Sequence, residues 1–420
     1  MKKRSIVALV LALVVSVIII TACGDVSSVQ TVSPSNNGGT AGAPTSGTAA
    51  TTGTVPADAP EVTEVHIGML APLQGPAAYF GTSVQMGAML YIDAFNAQGG
   101  LQVRVTTRDE EGDPARAVMM YHDLYDLGVT AILGSVTSGP TMAVVPEAFN
   151  DGMPMITATS THAGVTVNQD TGEVFTNMFR SCFIDPFQGV KMAEFAVEVL
   201  GAQTATILFA HDIDYSIGLR DSFVERASEI GLTILREETF SDETPDFTAQ
   251  LTNLAAANAD VIFIPVYNRH TALIGPQSVA AGLTSTMLGA DGWAGTLDRI
   301  ADASTVEGAF YLTGFTYESE DAHIIEFIER FEATYDLMPN MFAAQAYDAA
   351  SILIAALQKA VADGLEPGST EFKAATIAHM AATDMHGVTG HITFDRYNNP
   401  QKTAFILQIR DGEARFWGTF

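Results

Sequence analysis

Residues 61–420 switch repeatedly between a two-residue and a 3.6-residue apolar period, and no other feature of the sequence restricts its fold as strongly. Val65, Ile67 and Met69 alternate and run into Ala71-Pro72, which predicts a strand and a loop. Val84, Ala88, Tyr91, Ile92 and Phe95 then recur at helical spacing and stop at Gly99-Gly100. The same reading predicts strands at 101–107, 131–134, 154–158, 205–210, 232–236, 261–266, 286–290 and 308–315. Helices are predicted near 114–127, 140–150, 187–200, 217–230, 246–257, 271–281 and 340–357, with another carried by Ile324, Ile325, Ile328, Phe331 and Tyr335. Apolar alternations at 391–395 and 405–410 predict two late strands. Such βα alternation requires α/β architecture, with parallel sheets covered by helices on both faces. Two βα series of similar length predict two Rossmann-like lobes, with ligands at the carboxyl ends of the strands.

The first sixty residues read differently. Lys2, Lys3 and Arg4 precede an apolar run over 5–20, which ends in Thr21-Ala22-Cys23. A basic start, a short apolar core and small residues predict a secretory leader over 1–22. The cysteine after Thr-Ala resembles a bacterial lipobox, which would make Cys23 the site of lipid attachment. Residues 23–60 are rich in Ser, Thr, Gly, Ala and Pro and hold too little apolar surface to offset their ordering entropy, so they predict a flexible tether. The folded part is then extracytoplasmic and keeps one cysteine, Cys182, expected as a buried structural thiol.

Charge and motifs narrow the function. With 20 Lys+Arg against 48 Asp+Glu, the chain has no basic surface to displace counterions from phosphate, which argues against a nucleic-acid partner. The same charge disfavours contact with anionic membrane surfaces other than through a lipid anchor. The sequence has no GxxxxGK[ST], HExxH, GxSxG or GxGxxG motif. The nine histidines are scattered; His386 and His391 have no metal-site neighbours in sequence. Asp109-Glu110-Glu111-Gly112-Asp113 lacks the twelve-residue calcium-loop pattern and is expected as a solvated loop. No catalytic, cofactor or metal signature is found, and the expectation of a binding protein that is not an enzyme, with no cofactor and no metal, rests on the resemblance carried by the loops that follow.

What remains is an ordered series of polar loops after strands: IGMLAPLQGPAAYFG at 67–81, GSVTSG at 134–139, PMITATST at 154–161, DYSIG at 214–218, PVYNRH at 265–270, GADGW at 289–293 and AYDAA at 346–350. This series resembles the type I periplasmic binding proteins of ABC importers, specifically the leucine/isoleucine/valine-binding family, over nearly all of residues 62–420. The resemblance implies two lobes joined by a three-crossing hinge near 181–186, 312–316 and 393–397. Lobe I would take 61–183 and 314–394, and lobe II 184–313 and 395–420.

It also implies roles. Ser138 would donate to a ligand carboxylate, with Thr159 and Thr161 completing that cradle and Ser160 lying between them. Asp291 would receive the ligand ammonium; the family position carries glutamate, so reach here is shorter by one methylene. Tyr215 and Tyr267 would close from the second lobe. Phe80, Val136 and Phe342 would surround an aliphatic or small uncharged side chain, with Tyr79 beside Phe80 able to substitute. The cysteine pair of some relatives is missing, with Gly112 and Thr137 in its region. The implied function is a monomeric, lipid-anchored substrate-binding protein that hands a free amino acid to ABC transporter permease subunits. The alternatives are a sensory ligand-binding module, or import of urea, a short amide or an aromatic acid. The lipid-type leader, and a chain that runs out on the lobes at Phe420, favour import over sensing as the expectation.

Overall fold

The computed structural model describes residues 62–420. The leader, the tether and Cys23 lie outside the described residues. The first series runs β1 (Glu64–Ala71), α1 (Ala78–Asn96), β2 (Gln102–Asp109), α2 (Pro114–Asp126), β3 (Ala131–Leu133), α3 (Ser138–Asn150), β4 (Met155–Thr157) and β5 (Met178–Arg180). Its strands form one parallel sheet in the order β2-β1-β3-β4-β5. The second series runs α4 (Asp185–Glu198), β6 (Thr204–Ala210), α5 (Asp214–Ile230), β7 (Thr233–Phe240), α6 (Thr248–Ala257), β8 (Val261–Phe263), α7 (Asn268–Ala280), β9 (Thr286–Gly289) and β10 (Phe310–Thr313). These strands repeat the same order as β7-β6-β8-β9-β10.

The chain then returns to the first layer with α8 (Ala322–Tyr335), α9 (Met341–Ala362), α10 (Thr370–Ala381) and the hairpin β11 (Asp384–Gly387) and β12 (Gly390–Thr393). Finally β13 (Phe405–Arg410) and β14 (Glu413–Thr419) extend the second sheet beyond β10 as antiparallel strands. Each lobe is thus an α/β/α sandwich built from discontinuous chain, and the chain passes between the lobes at 181–184, 314–321 and 394–404.

Packing explains why the site-bearing ends are held firmly. Helix α9 is alanine-rich and buried along most of its length, which lets it enter the first core as a whole. It packs so closely on α1 that a Cβ at Gly87 would lie 2.0 Å from the Ala343 carbonyl oxygen. Each large apolar side chain buried there contributes about 1.5–3 kcal/mol. Asn340 caps α9, its Oδ1 accepting from the Ala343 N–H at 3.0 Å while its Nδ2 donates to Ser83 Oγ of α1 at 2.7 Å. Phe80 and Phe342, near the starts of these two helices, therefore meet edge to face with centroids 5.0 Å apart.

The sequence reading missed β5, α10, β11 and β14. Strand β5 is three buried residues, too short to show a period. Helix α10 did carry a signal: Ser369 caps it, and Phe372, Thr376 and Met380 follow at four-residue intervals. The alternation at 391–395 belongs to the separate β11–β12 hairpin, where His386 and His391 are cross-strand partners. They bond outward, to Asp321 and Asp384. The acidic loop is not wholly solvated. Glu110 is fully buried, accepts from Ser135 Oγ at 2.5 Å and from the Gly112 N–H, and burial pushes its carboxyl up to about 7. It buttresses the segment that leads from β3 into α3.

Candidate functional site

In both lobes the strand order reverses beside the first strand, and loops there diverge to leave a crevice at the carboxyl ends. The two crevices face each other. The cleft between them is lined by Phe80, Val136, Thr137, Ser138, Thr159, Thr161 and Phe342 from the first lobe and by Tyr215, Tyr267, Asp291 and Gly292 from the second. Nine of the ten ligand-contact residues expected from the sequence thus line one cleft. Ser160 does not. It is fully buried in the loop after β4, and its carbonyl accepts from Arg180 Nη1 at 2.8 Å and Cys182 Sγ at 3.4 Å. Tyr79 faces a different cavity beyond Phe80.

The first-lobe edge suits an anion. Thr137 holds the cap position of α3 without a side-chain cap bond, leaving first-turn N–H groups beside the cleft without that acceptor. Ser138 Oγ accepts from the His162 N–H at 3.3 Å. The two threonines differ. Thr159 Oγ1 donates to the Val136 carbonyl at 2.7 Å and so braces the neighbouring loop. Thr161 Oγ1 is buried beside the Asp185 carboxyl. Behind them the fully buried Arg180 donates to the carbonyls of Ser160 and His162, the latter at 3.0 Å, and fixes the loop's path.

The second-lobe edge suits a cation. Asp291 sits in a short 3-10 turn pinned by Trp293 Nε1, which donates to the Ile264 carbonyl at 2.8 Å. Tyr215 OH donates to Asp291 Oδ1 at 2.6 Å and accepts from the Gly292 N–H at 2.8 Å. Burial raises the Asp291 carboxyl from its ordinary 3.8 to about 6. Asp185, at the start of α4 where the chain has just crossed between lobes, was not singled out from the sequence. It is fully buried, and burial holds its pKa well above the ordinary value although the Thr161 hydroxyl beside it favours the ionised form. Its N–H donates to the Thr161 carbonyl at 2.9 Å. Gln188 links the same helix to Asp291, accepting from the Asp291 N–H at 3.0 Å.

Aromatic rings close the remaining wall. Tyr215 and Tyr267 stack at 4.6 Å with planes 8° apart, and Tyr267 touches Phe80 across the lobes at 5.2 Å. Cys182 lies behind this wall, fully buried, its thiol pushed up to about 12 by burial. Such a cleft offers an anion seat, one carboxylate and an apolar wall within one enclosed space. Among the described residues no three His, Cys, Asp or Glu side chains gather as a metal-binding group.

Fold and site together define a two-lobed binding protein whose ligand space lies between the lobes. The model of the Periplasmic binding protein family matches residues 64–414, and the chain belongs to that family. It is 27% identical over 316 residues to the Leu/Ile/Val-binding protein homolog 3 of Brucella melitensis, covering 74% of this chain and 82% of that one. The leucine-binding protein LivK of Thermotoga maritima superposes with a TM-score of 0.77 at 28% identity, covering 85% of this chain and 98% of that structure. The branched-chain amino acid transporter substrate-binding protein LivJ of Streptococcus pneumoniae, solved with isoleucine, superposes with a TM-score of 0.75 at 29% identity, covering 84% and 99%.

Proposed function

We propose that this protein is the lipid-anchored, extracytoplasmic solute-binding component of an ABC importer, and that it carries a free branched-chain or other aliphatic amino acid. The observation that carries this reading is the polarity of the cleft. A zwitterion needs both charges satisfied when it leaves water. The α3 N-terminus with Ser138 and Thr161 suits the carboxylate, while Asp291, backed by Tyr215, suits the ammonium. Phe80, Val136, Phe342 and Tyr267 make the apolar part of the lining, with no Lys or Arg among it; the space between them is about 20 Å³ in this closed form, so the rings or lobes must part to admit a side chain. The names of these relatives agree with that ligand class.

Binding then shifts an equilibrium between open and closed lobes, and the closed form docks on the permease. Two charged anchors and aliphatic burial at about 0.8 kcal/mol per methylene are compatible with the roughly −8.2 kcal/mol of a micromolar complex. Calorimetric titration of the purified protein with leucine, isoleucine, valine and alanine tests this. Heat with the branched residues and weaker binding of alanine are expected; a folded protein that binds none of the twenty amino acids refutes it. Anchoring through Cys23 is tested by labelling cells with an alkyne fatty acid. Label that persists in Cys23→Ser refutes that part.

A further inference from the structure

On the far side of the Phe80–Phe342 wall lies a second cavity, of about 440 Å³. That is well within the range of small-molecule sites. Its walls are aromatic: Tyr79 from the first lobe, Tyr311 and Phe416 from the second, and Phe315 and Tyr317 from the segment that crosses between them. Two guanidinium groups, those of Arg410 and Arg415, stand at its exposed rim with Glu318.

Tyr311 is the informative residue. Its side chain is only 6% exposed, yet its hydroxyl has no hydrogen-bond partner among the described residues and opens onto this cavity. The hydroxyl is reached from the cavity and presents one donor and one acceptor to whatever fills it. The Tyr317 hydroxyl also lacks a protein partner among the described residues. Arg410 uses only its Nε on the protein, donating to Gln408, so its terminal nitrogens are available. Arg415 meets Asp411 and Glu413 at 3.3 Å, in solvent-exposed pairs that hold it weakly.

We propose that this cavity is a second ligand site, for a small aromatic carboxylate that carries a ring hydroxyl. The ring packs among the aromatic walls, its hydroxyl pairs with Tyr311, and the carboxylate meets Arg410 and Arg415. The site is separate from the amino-acid cleft, because Tyr79, Phe80 and Phe342 stand edge to face between the two spaces, with centroids 5.0–6.4 Å apart.

The probe is 4-hydroxybenzoate, titrated calorimetrically into the full-length protein with and without saturating leucine. Binding is expected in both cases, and unchanged in Asp291→Asn. The double substitution Arg410→Ala/Arg415→Ala, both on exposed side chains, is expected to weaken the aromatic acid on the order of tenfold while leaving leucine affinity intact. Tyr311→Phe, which deletes one oxygen, is expected to weaken 4-hydroxybenzoate about fivefold and benzoate hardly at all. Three results overturn the proposal: no binding, competitive displacement by leucine, or an affinity that none of these substitutions changes. If leucine fails to bind while 4-hydroxybenzoate behaves as expected, the amino-acid reading falls and this one stands.

Discussion

Replacing Asp291 with asparagine should strengthen the fold and weaken ligand binding at once. The carboxylate is 3% exposed, and burial raises its pKa from 3.8 to about 6. A rise of about two units means that the ionised form costs the native state roughly 3 kcal/mol at pH 7. The native protein holds this proton more tightly than the unfolded chain. The associated stability is therefore fully present below pH 3.8 and lost as pH rises through about 6. Asparagine is neutral throughout and keeps an oxygen for the Tyr215 hydroxyl, now 2.6 Å from Oδ1. The variant should thus unfold at higher urea concentration at pH 7, by up to about 3 kcal/mol, with the gain shrinking toward pH 4. Ligand binding moves the other way. Removing one partner of a buried, hydrogen-bonded charge pair costs about 2–5 kcal/mol, roughly 30- to 4,000-fold in Kd. Urea unfolding at both pH values, paired with leucine calorimetry, reads both effects. A lower urea midpoint at pH 7 together with a leucine Kd within threefold of the parent would refute the reasoning on both counts.

In the parent protein, leucine affinity should fall about tenfold per pH unit below about 6, as Asp291 takes up its proton and ceases to attract an ammonium; a flat affinity profile from pH 7 to 4.5 contradicts this. Thr161→Val should weaken leucine on the order of tenfold, because that hydroxyl lines the cleft. Thr159→Val should instead cost about 1–3 kcal/mol of stability in urea, since it strips the Val136 carbonyl of a 2.7 Å hydrogen bond. Gly295→Ala should hold the lobes apart: its φ is +82°, and a Cβ there would lie 2.3 Å from Tyr79 Cζ of the other lobe. Small-angle scattering with leucine should show a larger radius of gyration than the parent, and equal radii would count against that contact as a closure surface.

The local code carried much of this protein. Alternating periods place strands and helices within a few residues of their observed ends, and site residues follow from where strands stop. Val136, Ser138, Thr159 and Thr161 come just after β3 and β4, Tyr215 after β6, Tyr267 after β8 and Asp291 after β9. Strand ends are legible because the apolar run must break where the chain leaves the sheet. Elements too short or too mixed to show a period, such as β5, were not legible.

Burial is what a local pattern cannot express. In sequence Asp185 is an ordinary acid in the first turn of a helix, a favourable place beside a macrodipole. Glu110 is one carboxylate among several in an acidic loop. Ser160 looks equivalent to the threonines on either side. Tertiary packing gave each a different fate, because the groups that decide it are remote in the chain: Asp185 is buried against Thr161, Glu110 against Ser135, and the Ser160 carbonyl against Arg180. The sequence by itself determined the architecture and the chemistry available at each strand end. Only the tertiary structure decided which of those groups lose water, and so which are costly enough to matter to a ligand, because desolvation depends on everything packed around a group rather than on its neighbours along the chain.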